Sequence, residues 1–390
     1  FQEGFGVGSY YVPNRRLDVS AEVLQTPAGA PAVRHRYAGD GPNISGLAVT
    51  RTLRPLVDEA AVEVEWEVRN AGTERQWLTP WVGHDLAPGG EVDAQDEVVV
   101  PARRGHTRVE DTNAYFSAAR NWFSATDPRE GLSLVGVFDA SQTYAMRAAH
   151  AVGFDRADVQ VNFAPRLLAP GDVWRTTYRL NVFRGLQRVD FATDRIAAQI
   201  DYEDGVLTVL FSGVRPMPET VITARIMAPN GRVWPLPDKR FQVNPNRLAR
   251  CTYDWEAPAD GAYDLLAQLT VAGEPLELGT GLNPPHGGID TRFNVGTPEP
   301  APWAPWTDAP YALERTPREI PRPLAVAEPY QGWFARGLEK VYKEDAAVPE
   351  GAPVRGTASL WHAARRNRFR WWCARGATRA CCGWRLNRAH

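Results

Sequence analysis

The feature that most constrains the fold of this chain is a run in which apolar and charged residues alternate strictly, Val62-Glu63-Val64-Glu65-Trp66-Glu67-Val68. Successive side chains of a β-strand point to opposite faces, so this period of two predicts a strand with one buried face and one wet face. The residues Asn70-Ala71-Gly72 follow and are typical of a turn that ends the strand. The chain must therefore place this strand in a sheet that is covered on one side.

Similar strand patterns recur up to about residue 295, with Gly and Pro between them. Tight turns are predicted at Asn230-Gly231 and Asp260-Gly261. The only candidate helix in this part is Thr112–Arg120. The predicted fold class is therefore mostly β. The clearest further strands are Leu132–Phe138, Trp174–Phe183, Gly205–Phe211, Val221–Met227 and Tyr263–Val271.

The strand groups and a change in composition predict four segments. Residues 1–188 form a first β-sandwich, and residues 189–295 form a second, whose short strands and turns are spaced as in an immunoglobulin-like sandwich. Residues 296–330 are dense in proline, which cannot donate to a strand ladder, and are predicted to be a linker. Residues 331–390 are predicted to begin a further β-domain.

The tail from Ala363 to His390 is rich in Arg, Trp and Cys and has no periodicity. One interpretation is a basic, disordered tail of the kind that binds nucleic acid. We favour a reading-frame error in GC-rich coding DNA. Read from the third base of each codon, the segment from Arg370 to Ala374 gives Val-Val-Val-Arg. If the codons that come next are assumed to end in G or C, the shifted frame continues into a sequence with the pattern of a strand, a turn and a second strand. On this hypothesis the tail is mistranslated, and Cys373, Cys381 and Cys382 have no evolved role.

Charge and hydropathy exclude several partners. A net charge of −2 and a pI near 6.4 argue against nucleic acid. No apolar run approaches the roughly 20 residues that span a bilayer, so no membrane insertion is predicted. Phe1–Tyr11 is neither basic nor continuously apolar, so it is not a signal peptide, and we expect the chain to be a fragment without its natural start.

No cofactor is predicted, because the sequence has no phosphate-binding loop, no nucleophile elbow and no zinc-binding HExxH motif. An acidic cluster, Asp85, Asp93, Asp96 and Glu97, follows His84. Loops rich in carboxylates can hold Ca²⁺, but this spacing matches no EF-hand. We interpret the cluster as a solvated loop and predict no metal site.

Residues 1–188 resemble the galactose mutarotase-like supersandwich. The likeness is carried by Gly46–Leu53, by Val62–Asn70 with the turn Arg69-Asn70-Ala71-Gly72, and by Trp77-Leu-Thr-Pro-Trp-Val-Gly-His84. Members often show a strand, an Arg-Asn-x-Gly turn and a strand that ends in a His near the sugar site. The resemblance implies a sugar site near His84 and places the first strands of the domain upstream of Phe1.

A second resemblance concerns the C-terminal part. Gln331–Tyr342, followed by Ala363-Ala-Arg365, resembles the start of the β-sandwich that precedes the catalytic barrel in bacterial proteins similar to glycoside hydrolase family 123. These proteins resemble hexosaminidases that act on N-acetylgalactosaminides. The resemblance implies that the parent protein is a glycoside hydrolase, that its catalytic barrel lies beyond residue 390, and that the protein is extracellular or periplasmic.

Four residues are candidates for contact with a sugar: Trp77, Trp81, His84 and Trp122. The mutarotase likeness implies that His84 is a general acid, with Glu110 or Asp111 available as the base. The alternative is a histidine that only forms local hydrogen bonds. The tryptophans can stack on a sugar ring or pack in the core. Because Pro80 interrupts a regular strand, Trp81 is expected near a rim.

The leading functional hypothesis is a non-catalytic carbohydrate-binding or structural module of a glycoside-hydrolase-like protein, with a polysaccharide or an oligosaccharide as its partner. The first alternative is an aldose epimerase-like enzyme that uses His84 as general acid. The second is a cell-surface β-sandwich scaffold with no sugar function.

Overall fold

The computed structural model describes residues 2–5, 18–25, 30–39, 44–101, 105–109, 112–117, 120–139, 141–151, 156–276, 288–296, 323–324, 330–335 and 370–375. Phe1–Thr307 form one compact unit, and Asp308–His390 form a second. Every regular element of the described residues is a β-strand, and every strand pair is antiparallel. The predicted fold class, mostly β with antiparallel sheets, is confirmed.

The first sandwich consists of two main sheets. A five-stranded sheet has the order β1-β7-β14-β13-β10, a nine-stranded sheet has the order β2-β3-β4-β5-β16-β12-β11-β8-β9, and β6 and β15 form a separate ribbon. The strands are β1 (Gln2–Gly4), β2 (Ser20–Leu24), β3 (Ala32–Ala38), β4 (Leu47–Pro55), β5 (Ala61–Asn70), β6 (Gln76–Leu78), β7 (Trp81–Asp85), β8 (Glu97–Pro101), β9 (His106–Arg108), β10 (Thr112–Ser117), β11 (Trp122–Asp127), β12 (Leu132–Phe138), β13 (Thr143–Ala151), β14 (Arg156–Phe163), β15 (Arg166–Leu168) and β16 (Val173–Arg184).

The alternation of apolar and charged residues in β5 explains how the two sheets of the first sandwich pack together. Val64, Trp66 and Val68 are fully buried, whereas the glutamates between them lie on the opposite face of the nine-stranded sheet. The buried side chains pack against residues of the five-stranded sheet such as Val82 and Val159. Burial of such side chains contributes roughly 1.5–3 kcal/mol each before conformational entropy is subtracted.

The second sandwich packs a four-stranded sheet, β17-β18-β19-β23, against a six-stranded sheet around its own core. In the six-stranded sheet, β21-β20-β24-β25 form the main path, β22 pairs with β20, and β26 pairs with β24. The strands are β17 (Phe191–Ala192), β18 (Ile196–Glu203), β19 (Val206–Gly213), β20 (Met217–Met227), β21 (Val233–Pro235), β22 (Lys239–Val243), β23 (Ala249–Asp254), β24 (Gly261–Val271), β25 (Glu274–Pro275) and β26 (Ile289–Val295).

A third apolar layer joins the two sandwiches. It contains Trp122 and Phe183 from the nine-stranded sheet and Leu210 and Val214 from the second sandwich. Hydrogen bonds cross the same boundary, including one from the amide of Ala60 to the carbonyl oxygen of Val214 at 3.0 Å. Four sheets are therefore stacked, with three apolar layers between them.

The predicted strands lie where the alternation placed them, but one expectation is wrong. Thr112–Ser117 is strand β10 and not the start of a helix, because it pairs with β13 from Thr112↔His150 to Ser117↔Ala145. Long-range pairing decides the structure of this segment, and local propensity does not. The boundary predicted at residues 188 and 189 and the immunoglobulin-like assignment of the second sandwich stay predictions.

In the second compact unit, β28 (Tyr330–Ala335) pairs with β27 (Pro323–Leu324) and with β29 (Arg370–Arg375). Strand β29 lies inside the tail for which a reading-frame error was predicted, so part of this tail is paired here as a strand. Residues 297–322 of the predicted linker and residues 376–390 lie outside the described residues. The reading-frame hypothesis concerns the coding DNA and stays a prediction.

Candidate functional site

Strand β7 separates two kinds of side chain. Val82 and His84 point into the core of the first sandwich and are buried. By the same alternation, Trp81, Gly83 and Asp85 point to the outer face of the five-stranded sheet. Pro80 lies in the break between β6 and β7, which agrees with its inability to donate to a ladder. The candidate residues His84 and Trp81 are therefore on opposite faces.

His84 connects the two sheets of the first sandwich. Its Nδ1 lies 3.2 Å from the carbonyl oxygen of Val159, and its Nε2 lies 3.2 Å from the hydroxyl of Tyr178 on the facing sheet. The imidazole also packs against the ring of Phe123 at a centroid distance of 5.1 Å. Burial lowers the pKa of His84 to about 4, so the ring is neutral at pH 7. Both nitrogens and the ring faces are engaged within the core.

The outer face of the five-stranded sheet carries a row of polar side chains, three on β14 and one on the neighbouring β13, which we call the polar ladder: Asp158, Gln160 and Asn162, with Arg147. The guanidinium of Arg147 lies 3.2 Å from Asp158 Oδ1 and 3.4 Å from Gln160 Oε1. Gln160 Nε2 donates to Asn162 Oδ1 at 2.8 Å. These mutual bonds fix the orientation of each group, as recognition of a polar ligand requires.

Two residues of β7 extend the polar ladder. Asp85 is the cross-strand partner of Asp158, and Trp81 is the partner of Asn162. Trp81 also pairs with Gly4 on β1, and a Cβ added to Gly4 would overlap the indole. The absence of a side chain at residue 4 therefore lets the indole lie against the backbone of β1, half-buried beside the ladder.

A pocket of about 540 Å³ lies at the Asp85 end of the ladder and is lined by Asp85, Leu86, Ala87, Gly90, Glu91, Val92 and Ala157. The row therefore has a half-buried aromatic ring at one end and a concave site with carboxylates at the other, while Asp158 and Gln160 in the middle are buried, at 8% and 9% exposure. From Trp81 to Asp85, this row extends over about 13 Å at the rise of a β-strand.

The other two candidate tryptophans lie in different environments. Trp77 is 48% exposed on the β6–β15 ribbon, opposite Leu167, which is also exposed. Trp122 is 1% exposed and belongs to the apolar layer between the sandwiches. The structure therefore brings neither His84 nor Trp122 to the outer face with Trp81. Glu110 and Asp111, the candidate bases, lie outside the described residues.

The polar ladder was not predicted from the sequence. Its signal is visible in Asp158-Val159-Gln160-Val161-Asn162-Phe163, where polar and apolar residues alternate as strictly as in β5. The polar residues of this segment are two amides and one acid, so the pattern alone predicts an ordinary strand with one solvated face. Only the pairing of β14 with both β7 and β13 brings Trp81, Asp85 and Arg147 to the same row.

Of the acidic cluster, Asp96 is buried while Asp93 accepts hydrogen bonds from the amides of Gln95 and Asp96 in a tight turn. Burial raises the pKa of Asp96, and the neighbouring carboxylates of Asp93 and Asp127 add to this. Within the described ranges, no three His, Cys, Asp or Glu side chains are arranged to hold a metal ion. The described part of the chain also contains no helix long and apolar enough to cross a membrane.

No family model matches this sequence, and no curated protein matches it. Among solved structures, a galactose mutarotase-like protein from Clostridium acetobutylicum is similar with a TM-score of 0.35 and 11% identity, over 44% of this chain and 68% of that chain. A proposed aldose 1-epimerase from Klebsiella pneumoniae is similar with a TM-score of 0.33 and 7% identity, over 42% of this chain and 53% of that chain.

The α-N-acetylgalactosaminidase of Bifidobacterium bifidum, in complex with N-acetylgalactosamine, is similar with a TM-score of 0.33 and 15% identity. That match covers 43% of this chain and 28% of the glycosidase. The chain thus spans about half of the epimerase and just over a quarter of the glycosidase.

Proposed function

We propose that this protein binds carbohydrate on the outer face of the five-stranded sheet. The observation that carries the proposal is the row formed by Trp81, the polar ladder and Asp85, which ends in a pocket. A sugar ring has an apolar C–H face and a rim of hydroxyls, and each hydroxyl both donates and accepts. An indole beside fixed amide, guanidinium and carboxylate groups matches both features.

The environment of His84 supports a non-catalytic role over the epimerase alternative. A general acid at neutral pH must carry a proton, and a histidine with a pKa of about 4 is almost entirely neutral there. The ring is also enclosed between Tyr178 and Phe123 on the core side of β7. We therefore assign His84 to the packing of the two sheets.

The test is sugar binding by Trp81→Ala, with galactose and N-acetylgalactosamine as probes because of the resemblance to the galactose mutarotase-like domain. The variant should bind these sugars roughly tenfold more weakly, which corresponds to about 1.4 kcal/mol of stacking energy. Val57→Ala, an exposed apolar residue away from the row, is the matched control and should bind like the wild type. Equal binding by wild type and Trp81→Ala, or no binding to either sugar, would contradict the proposal.

The resemblance of Gln331–Tyr342 extends the proposal to the whole protein. The two sandwiches would serve as accessory modules of an extracellular or periplasmic glycoside hydrolase, whose barrel is encoded downstream. Sequencing the DNA on both sides of this reading frame tests both this idea and the frame error in the tail. A stop codon in the shifted frame, or a downstream region without a barrel that carries adjacent carboxylates, would argue against them.

A further inference from the structure

A groove of about 980 Å³ lies where the second sandwich meets the first, away from the polar ladder. Its lining comes from β9 of the first sandwich through His106, from the segment between the sandwiches through Arg188 and Asp190, and from β18, β19, β23 and β26. Pockets for small ligands generally have 300–1,000 Å³, so the groove has room for a sugar of more than one ring. Its lining is His106, Arg188, Asp190, Ile200, Asp201, Tyr202, Glu203, Asp204, Val206, Thr208, Arg250, Arg292, Phe293 and Asn294.

One end of the groove is held rigid by a buried ionic network. The carboxylate of Asp190 is 3% exposed and accepts from Arg188 Nε at 3.1 Å and from the amide of Ile200 at 2.6 Å. Arg188 also reaches Asp201 at 2.7 Å and the carbonyl oxygen of Ile200. His106 Nε2 lies 3.3 Å from Asp190 Oδ1 and adds a contact from the first sandwich. These contacts hold the charged side chains in place and shape the groove, with one guanidinium facing two carboxylates.

Several other polar groups of the groove have no hydrogen-bond or ion-pair partner among the described residues. The Nδ1 atom of His106 is buried without a hydrogen bond, which is uncommon for a buried polar atom. Arg250 and Glu203 are exposed and form no ion pair with a described residue. Thr208 lies two residues from Leu210, the cross-strand partner of Arg250, and so shares the outer face of the four-stranded sheet with Arg250. Among the described residues, the groove therefore presents an unpaired cation, an unpaired anion and a hydroxyl.

The aromatic part of the groove is equally fixed. Tyr202 accepts a hydrogen bond from the amide of Ala257 at 3.1 Å, and its ring lies 6.2 Å from that of Phe293. Both residues line the groove, but their side chains point into the core of the second sandwich, on the opposite face from Thr208 and Arg250. The groups on the outer face are polar, so a ligand that fits must satisfy donors and acceptors together.

We propose that this groove is a second ligand site, for an uncharged oligosaccharide that is bound by Arg250, Thr208 and Glu203 and lies close to His106. A free anion such as a phosphate would meet Arg250 but would be repelled by Glu203 and Asp204. Hydroxyl groups avoid this conflict because they donate to the carboxylates and accept from the guanidinium. The site is independent of the polar ladder.

The test combines calorimetric titration with NMR of the His106 ring, whose signals are assigned with His106→Gln. The probes are galactose, N-acetylgalactosamine and galactotriose, with galacturonate as the anionic counterpart. We expect a neutral sugar to shift the His106 signals, galactotriose to bind most tightly, and Arg250→Ala to weaken binding about tenfold. Arg240→Ala, on β22 outside the groove, is the matched control and should leave binding unchanged.

Three results would overturn the proposal: no shift of His106 with any neutral sugar at tens of millimolar, equal binding by Arg250→Ala and wild type, or binding of galacturonate alone. Trp81→Ala separates the two sites. It should leave the His106 shifts intact, so failure of the polar ladder as a sugar site and failure of the groove are distinguishable.

Discussion

At the scale of single residues, the environment of His84 is decided by which way its strand faces. His84 lies near the end of strand β7, which begins with Trp81, and a histidine that contacts a sugar was expected there. Its ring is instead buried between Val159 and Tyr178. The exposed member of the same strand end is Asp85. A shift of one residue along a strand exchanges the two faces, and this explains why spacing alone did not separate them.

The low pKa of His84 predicts how stability depends on pH. In the unfolded chain the His84 side chain takes up a proton near pH 6.5, whereas in the folded protein it does so only near pH 4. Stability is therefore fully present above about pH 6.5 and is lost as the pH falls toward 4, by at most about 3 kcal/mol from this group. Urea unfolding between pH 7 and 4.5 should show a shallower pH slope for His84→Gln than for wild type. Identical slopes would show that the pKa of His84 is the same in the folded and unfolded states.

Gly4 and Trp81 give a second prediction at this scale. A methyl group at residue 4 would overlap the indole, so Gly4→Ala should displace Trp81 from its place beside Asn162. We expect tryptophan fluorescence to change and sugar binding to fall as it does in Trp81→Ala. Gly231→Ala is unsuitable as a control, because Gly231 has a positive φ of 82°. Ala48→Gly, on β4 of the opposite sheet, leaves the row untouched. Unchanged fluorescence and binding in Gly4→Ala would show that the indole does not rest on β1.

At the scale of elements, one asparagine connects three segments of the first sandwich. Asn70 ends β5, and its amide group donates to the carbonyl oxygens of Glu74 at 2.8 Å and Leu168 at 3.1 Å. Its Oδ1 accepts from the amide of Gly72 at 3.1 Å. The turn predicted from the sequence therefore also holds β15, and with it the β6–β15 ribbon that carries Trp77, next to the end of β5. Asn230, in the turn before Gly231, bonds only the amide of Arg232 and is exposed.

The two asparagines make a matched comparison. Asn70→Ala would leave three backbone groups without their partner in a buried site, at a cost of roughly 2–4 kcal/mol in the free energy of unfolding. Asn230→Ala should cost about 0.5 kcal/mol, because water replaces the lost bond. Chemical denaturation of both variants measures the difference. Equal destabilisation would show that the contacts of Asn70 with Glu74 and Leu168 contribute little.

At the scale of the whole molecule, the apolar layer between the sandwiches lies inside the compact unit Phe1–Thr307, and we expect it to couple the unfolding of the two sandwiches. Trp122 and Phe183 occupy a layer that neither sandwich could bury alone. Ion pairs of Arg179 with Glu59 at 3.4 Å and Asp194 at 3.7 Å lie beside it. The groove with His106 and Asp190 depends on the same arrangement, because its lining comes from both sandwiches.

Leu210→Asp tests this coupling by placing a carboxylate in the apolar layer. Because an unpaired buried charge is costly, we expect the single calorimetric transition of wild type to split into two or to shift to lower temperature by several degrees. Leu210→Met keeps the volume and should behave like wild type. One transition at an unchanged temperature in Leu210→Asp would mean that the sandwiches are stable independently.

The sequence by itself determined the β class, the main strands and the turns at Asn70, Asn230 and Asp260. These features depend on local periodicity and on backbone preferences of single residues, and both are present in any stretch of a few residues. The prediction of a helix at Thr112–Arg120 was wrong because Thr112–Ser117 pairs with strand β13, which lies about 30 residues further along the chain.

Only the tertiary structure decided which candidate residues share a surface. The pairing of β7 with β14 and of β14 with β13 places Trp81 beside the polar ladder, while stacking of the sandwiches buries Trp122. Neither arrangement can be recognised from a short stretch of sequence, because the residues that meet are far apart along the chain. The sequence of a single strand also does not tell which of its neighbours will cover each face. The chemistry of single residues can be read from the sequence, but their assembly into a site depends on strand register and on how the sheets stack.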